Sequence, residues 1–132
     1  MNQAKIKQAV LKSMFNIYYK GVRKRYDWMG YQITEDNYPT YHHIVKREEL
    51  VSNNKSSSAT LDNGAYLGKR SHEMLHRIEQ IDYDLYVCWN DLFKMINLMH
   101  VHPIDDVWNM IYQLREISEN VLNQSNTNKK AK

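Results

Sequence analysis

Four of the six histidines in the chain fall into two close pairs whose spacing suits metal chemistry. His42 and His43 are adjacent in TYHHIVKRE, and His72 and His76 are four residues apart in KRSHEMLHRIE. Side chains four residues apart project from the same face of a helix, so two imidazoles at this spacing can bind one ion. Imidazole nitrogen suits Zn, Ni, Co or Mn better than Mg, although Mg can bind with water completing its coordination.

The two adjacent histidines are predicted to have different roles, because they follow a strand-like run. Successive side chains of a strand point to opposite faces, so His42 and His43 cannot both bind the same ion from a regular strand. One imidazole can bind a metal ion while the other faces a different group on the opposite side of the strand. Because histidine titrates near neutral pH, that second role can be general-base catalysis.

The order of these residues, with Asn63 between the pairs in the turn sequence LDNGAYL, resembles the HNH (ββα-metal, His-Me finger) endonucleases. Within that family the pattern is most similar to the colicin-type nucleases, whose last helix carries two histidine ligands. The resemblance covers about residues 40–79. It rests on HHI with basic residues after it, on NG before a helix, and on SHxxLH.

The resemblance implies a role for each of the five residues. His42, His72 and His76 would be the first, second and third ligands of one divalent metal ion, such as Zn, Mg, Mn or Ni. His43 would be the general base that takes a proton from the attacking water. Asn63 would hold the loop and the backbone that orient His43.

Two features of the chain depart from the family pattern. Many relatives contain CxxC pairs that bind a structural zinc, whereas Cys88 is the single cysteine here. An acidic residue or an arginine often stands just before the His pair, where this chain has Pro39, Thr40 and Tyr41.

Hydrophobic periodicity predicts the elements that must position these residues. Apolar residues recur every three to four positions from Ala4 to about Arg25, which predicts an amphipathic helix that ends near Gly21 or the following basic cluster. The stretch Tyr26–Val45 is rich in Tyr, Ile and Thr and is predicted to form short strands around a turn. A polar loop over 46–60, a short strand near Leu61–Leu67 and a helix from about Lys69 to Glu79 are predicted to follow.

The last third of the chain, over 82–122, is predicted to form two helices. Asp82 is placed to cap the first, and Pro103 suits the first turn of the second. The short connection between them predicts antiparallel packing. His100 and His102 lie at this junction and are expected to be helix-end residues outside the site. Residues 123–132 are predicted to be a disordered tail.

Charge is distributed unevenly along the chain. Residues 1–26 contain seven Lys or Arg and no acidic residue, whereas residues 27–128 contain eight basic and fifteen acidic residues, a net charge of −7. A basic element on an acidic body can bind a polyanion locally. The residues predicted to contact nucleic-acid phosphates are Arg23, Lys24, Arg25, Lys46, Arg47, Lys69 and Arg70. The alternative is that these charges form ordinary solvated surface.

Length and composition exclude several classes of protein. A chain of 132 residues with 42% hydrophobic and 25% charged residues is expected to form one globular domain, here over 1–122. No apolar run approaches the roughly 18 residues of a membrane span, and the N-terminus lacks a secretory-signal pattern. One cysteine allows no disulfide framework, which favours a reducing, cytoplasmic location.

The sequence therefore predicts an α+β protein with a basic N-terminal helix (1–25), an HNH-like ββα core (40–79) and a covering pair of helices. The predicted function is metal-dependent cleavage of DNA, with RNA as a second possible substrate, which would suit a phage or mobile-element gene. Two alternatives remain open. The same core could serve a non-catalytic module that binds nucleic acid or protein, such as an inhibitor or a phage accessory protein. The histidines could also close a purely structural zinc site.

Overall fold

The elements of the fold are defined by a computed structural model that describes residues 3–45, 60–99 and 107–131. Within these ranges the chain forms α1 (Gln3–Tyr18), β1 (Pro39–His43), β2 (Gly64–Gly68), α2 (Lys69–Ile81), α3 (Tyr83–Met99) and α4 (Trp108–Ala131). A 3-10 turn, Leu61–Asn63, leads into β2. Four helices and a two-stranded antiparallel sheet confirm the predicted α+β class for the described ranges.

The two strands pair in a register that sorts their side chains onto two faces. His42 lies opposite Ala65 in the antiparallel ladder. Thr40 and His42 both contact His72 of α2, so they occupy the face that this helix covers. The rings of Tyr41 and His43 contact each other instead, as expected for the other face of an alternating strand. The strand therefore separates the two adjacent histidines, as the sequence predicts.

β2 runs directly into α2, and residues from an earlier part of the chain hold the start of this helix. Three backbone N–H groups donate hydrogen bonds across this junction: Gly68 to Asp27 Oδ2 (2.9 Å), Lys69 to the Tyr38 carbonyl (2.8 Å) and Arg70 to Asn37 Oδ1 (2.7 Å). Backbone N–H groups at the start of a helix have no acceptor within the helix itself, so these three acceptors from the preceding segment satisfy them. A Cβ at Gly68 would collide with the Asn37 side chain, so the junction requires glycine.

The segment before β1 is mostly turn, although short strands are predicted for Tyr26–Val45. Before β1 this stretch contains an isolated bridge between Tyr26 and Gln32. The buried carboxylate of Asp27 accepts hydrogen bonds from the N–H groups of Met29 and Tyr31, both at 3.0 Å. Side-chain acceptors of this kind compete with a strand ladder for the backbone donors, which explains the turn.

The C-terminal helices pack around one contiguous core whose largest fully buried side chains include Trp28, Trp89 and Phe93. The indole N–H of Trp89 donates to the Ser118 hydroxyl (2.9 Å) and joins α3 to α4. Asp82 caps α3 as predicted, because its Oδ1 accepts from the N–H of Leu85 (3.1 Å). In the described ranges no helix combines the length and the apolar character that crossing a bilayer requires.

Two element ends differ from the predictions. α1 ends at Tyr18, earlier than the predicted basic helix, so Arg23–Arg25 follow it in a turn that includes Gly21 at a φ of +81°. α4 continues to Ala131, where a disordered tail is predicted over 123–132. Extending an existing helix needs no new nucleus, which favours this continuation despite the polar sequence. The predicted loop around 46–59 and the junction at 100–106 lie outside the described residues.

Candidate metal centre

Three of the predicted site histidines converge where β1 meets α2. His42, His72 and His76 each offer one ring nitrogen, and these nitrogens all lie within 4.8 Å of one another. The ring centroids are 5.4 Å apart for His42 and His72, and 4.8 Å apart for His72 and His76, whose rings are stacked. One strand and one helix, distant in sequence, thus bring three imidazoles to one place.

Burial is graded across the three histidines. His42 is only 2% exposed, His72 is half-buried, and the side chain of His76 is 53% exposed. The cluster is therefore closed on the side of the core and open to solvent on the side of His76. An ion held in this way could still accept a further ligand from solvent, which is the arrangement of catalytic rather than structural zinc sites.

The Thr40 hydroxyl sets the tautomer of His72. This hydroxyl donates its proton to the Leu67 carbonyl (2.8 Å), and its oxygen lies 2.9 Å from Nδ1 of His72. Because the hydroxyl proton already bonds to the Leu67 carbonyl, the hydroxyl oxygen can only accept a hydrogen bond from His72. The proton of the neutral imidazole is therefore on Nδ1. The lone pair of His72 is then on Nε2, ready to bind a metal.

Asn90 of α3 does the same for His42. Its Oδ1 lies 2.8 Å from Nε2 of His42, so the imidazole donates from Nε2 and keeps its lone pair on Nδ1. On His76, Nδ1 lies 3.6 Å from Oε1 of Glu79. Metal-binding histidines generally have a protein partner on the ring nitrogen that does not bind the ion. Each of the three imidazoles has a side-chain oxygen near one ring nitrogen, which leaves the other nitrogen to bind an ion.

The electrostatics of the cluster keep its buried members neutral. Burial, together with smaller contributions from the neighbouring histidines, lowers the pKa of His42 to about 3, although the hydrogen bond to Asn90 acts in the opposite direction. Burial likewise lowers the pKa of His72 to about 4, with contributions from His76, from Lys7 of α1 and from His43. Neutral imidazole is the form that binds metal, so neither residue must lose a proton at neutral pH before it does so.

The metal-free protein is expected to lose roughly 3–5 kcal/mol of stability between pH 7 and pH 4. The folded-state pKa values of His42 and His72 lie below their ordinary 6.5, so the stability they contribute is present above pH 6.5 and is lost as pH falls. Asp27 acts in the opposite sense, because burial raises its pKa to about 6 from 3.8 and its contribution is lost as pH rises. The pKa values of the two histidines are shifted further than that of the one carboxyl, so the net effect is a loss of stability as pH falls.

Urea unfolding with a chelator at pH 7.0 and pH 4.0 would measure this dependence. The His42→Gln variant should show a smaller difference between the two pH values than the parent does. A parent protein equally stable at both values would contradict the burial of two neutral imidazoles.

Thr40→Val is expected to weaken metal binding about 10–100-fold, the usual effect of removing a partner of a ligating histidine. Valine keeps the shape of threonine and removes the acceptor that holds His72 Nδ1–H. Calorimetric titration with Zn²⁺ measures the change. Thr34→Val is the matched control, because it removes a hydroxyl that accepts from the Asn37 N–H instead. Equal affinities for Thr40→Val and the parent would remove Thr40 from this role.

Asn63 clamps the backbone just after the adjacent histidines. Its Oδ1 accepts from the N–H of Val45 (2.9 Å), and its Nδ2 donates to the carbonyl of the same residue (3.1 Å). The backbone carbonyl of Asn63 also accepts from the N–H of Ile44 (2.9 Å). His43 is half-buried, and its ring meets that of Tyr41 edge-on at 4.9 Å. The amide thus fixes the chain two residues beyond the predicted base.

The predicted phosphate-binding residues that the structure describes lie in two places, the turn after α1 and the start of α2. Arg23 and Lys24 are exposed in the turn after α1, whereas Arg25 donates to the Tyr66 hydroxyl (3.1 Å) and lies over the Phe15 ring. Lys69 is exposed at the start of α2, with its ammonium 5.7 Å from the centre of the Tyr38 ring. Arg70 lines a cleft on the opposite face of α2 from His72. Lys46 and Arg47 lie outside the described residues.

Sequence reasoning missed four residues at the cluster: Thr40, Glu79, Asn90 and Lys7. Thr40 carried a signal, because it stands two positions before His42 and therefore shares its strand face. Glu79 lies three positions after His76 on α2, which is also a same-face spacing. Asn90 and Lys7 belong to other helices, so only tertiary packing brings them near.

Comparisons of the chain with protein-family models, with curated proteins and with solved structures found no match.

Proposed function

We propose that the protein is a metal-dependent endonuclease of the HNH type that hydrolyses phosphodiester bonds in DNA, with RNA as a further possible substrate. The observation that carries the proposal is the convergence of His42, His72 and His76 within 4.8 Å. Directly after the first of these comes His43, in a segment whose backbone Asn63 clamps. This arrangement supports the roles that the resemblance implies for these five residues.

The donor set fits a divalent transition metal. Three neutral imidazoles suit Zn, Ni, Co or Mn better than Mg. When bound, such an ion would stabilise negative charge on the scissile phosphate and on the leaving oxygen. A purely structural zinc site is less well supported, because such sites usually have four protein ligands. Among the described residues the cluster offers three, and its His76 side is open to solvent.

The chain's own residues would supply the proton transfer. A ring nitrogen of His43 would take the proton of the attacking water, since neutral imidazole can act as a general base. Asn63 would act by positioning, because it fixes Val45 and thereby the end of the strand that presents His43. The Lys7 ammonium, close enough to His72 to oppose its protonation, would favour an approaching phosphate.

Cleavage assays with purified protein test the proposal directly. The substrates are supercoiled plasmid, single-stranded DNA and RNA, each with Mn²⁺, Mg²⁺, Ni²⁺, Zn²⁺ or EDTA. We expect cleavage with at least one metal and none with EDTA. Inert protein under all conditions would favour the non-catalytic binding module, provided that calorimetry still detects metal binding and a gel-shift assay detects nucleic acid.

Asn63→Ala is expected to lower kcat about 100-fold while leaving Zn²⁺ affinity unchanged, because it misplaces the base and spares the ligands. Loss of two hydrogen bonds to Val45 should also lower the free energy of unfolding by about 1–3 kcal/mol. Asn63→Asp keeps the acceptor for the Val45 N–H and loses the donor to the Val45 carbonyl. Its activity should therefore lie between that of the parent and that of Asn63→Ala. A variant with full activity would remove Asn63 from the site.

A further inference from the structure

A second cleft lies on the other side of α2 and has a volume of about 620 Å³. Its walls come from α2, from α4 and from the segment 31–37, three parts of the chain that meet away from the histidines. A volume of this size falls within the roughly 300–1,000 Å³ typical of small-molecule sites. None of the ligand histidines lines this cleft.

Helical geometry separates the cleft from the candidate metal centre. Met74 and Arg77 lie within about 40° of Arg70 around the axis of α2, at 3.6 residues per turn. His72 and His76 lie about 200–240° from Arg70 on the same basis. The helix therefore presents its histidines to one site and its arginines to another.

The cleft combines positive charge with apolar surface. Arg70 and Arg77 line one wall of the cleft, and Met74, Leu122 and Tyr31 provide apolar and aromatic lining. An arginine can bind a phosphate through two parallel hydrogen bonds, a geometry that lysine lacks. Two arginines on one helix face beside an apolar pocket suit a ligand with a phosphate at one end and a flat ring system at the other.

An acidic residue also lines the cleft, but it is engaged elsewhere. The Tyr31 hydroxyl donates to Oε1 of Glu119 (2.6 Å), and Nε of Arg115 lies 3.7 Å from the same oxygen. The Arg115 guanidinium in turn lies 5.1 Å from the centre of the Tyr31 ring. The cleft lining includes Arg70, Arg77 and one carboxylate, Glu119, so its formal charge is positive, and Arg115 lies beside that carboxylate.

We propose that this cleft binds a nucleoside monophosphate group, with its phosphate held by Arg70 and Arg77 and its base against Met74, Leu122 and Tyr31. The group can belong to a free nucleotide or to the 5′-phosphorylated end of a strand, since both present the same chemistry. This site does not depend on nuclease activity at the histidine cluster.

Calorimetric titration of the full chain with adenosine monophosphate tests the site, with EDTA present to exclude metal-bridged binding. We expect binding at one site per chain, and at least about tenfold weaker binding of adenosine and of inorganic phosphate, which each lack half of the contacts. Arg70→Ala and Arg77→Ala should each weaken binding about tenfold or more. Both side chains are exposed to solvent, so we expect the variants to fold, and thermal unfolding would verify this.

Two control variants locate the binding. Lys94→Ala removes an exposed cation of α3 outside the cleft and should leave the affinity unchanged. His72→Ala should also leave it unchanged, whatever its effect on cleavage. No binding by the parent, full affinity in the Arg70→Ala/Arg77→Ala double variant, or lost affinity in His72→Ala would each overturn the proposal. A 5′-phosphorylated hexanucleotide distinguishes the sources, because binding as tight as that of the mononucleotide indicates a strand end.

Discussion

Replacing His43 by alanine is expected to lower the cleavage rate about 10²–10⁴-fold, the usual contribution of a general base. The bound metal should remain, because the cluster of His42, His72 and His76 does not include this side chain. β1 separates the two functions physically, since adjacent residues of a strand face opposite ways. Single-turnover nicking measures the rate, and metal analysis of the same preparation measures the retained ion.

Two comparisons make this result specific. His102→Ala removes another histidine, which the sequence places outside the site, and it should cleave at the parent rate. Added imidazole should restore part of the activity of His43→Ala, since a diffusible base can replace the missing one. A His43→Ala protein as active as the parent would rule out this residue as the base.

Removing the metal is expected to lower Tm by about 10 °C. A ligand at 100 times its Kd stabilises the folded state by about 2.7 kcal/mol, and for a domain of this size each kcal/mol shifts Tm by roughly 4 °C. The shift arises because the histidines meet only when β1 and α2 have folded together. Thermal unfolding with excess Zn²⁺ and with excess EDTA measures it.

His72→Ala should abolish most of the difference between these two conditions. Its Zn²⁺ affinity should fall by more than the 10–100-fold expected for loss of a supporting partner such as Thr40, because a ligand itself is removed. Glu73→Ala is the matched control, since it changes the neighbouring exposed residue of α2 and leaves the cluster intact. An unchanged metal-dependent shift in His72→Ala would exclude it from the ligand set.

Several features of the fold that depend on local sequence agree with the predictions. The spacing of His72 and His76 indicated a shared helix face, and α2 extends over both residues. The alternation rule predicts that His42 and His43 face apart, and His42 contacts His72 whereas His43 contacts Tyr41. Asp82 was recognised as a helix cap because its side chain acts on a backbone group only three residues away.

The parts that depend on long-range packing were not predicted. Asn90 reaches His42 from a helix 48 residues further along the chain. The sequence predicts that Arg70 contacts the nucleic acid that would be cleaved at the histidines. In the structure Arg70 lines a different cleft, because it lies on the opposite face of α2. The turn around Asp27 depends on a buried carboxylate that also bonds to Gly68, a contact between distant residues. Periodicity reports which face of an element is apolar, not which element will cover it.

The capping of α2 by Asp27, Asn37 and Tyr38 limits how far the site can be moved out of its context. A peptide of residues 39–81 would contain every histidine of the cluster, yet it would lack all three acceptors that receive the backbone donors at the start of that helix. It would also lack the Asn90 amide that orients His42. We therefore expect such a minimal peptide not to be an autonomous metal-binding unit, and a graft onto another scaffold would have to carry the preceding turn with it.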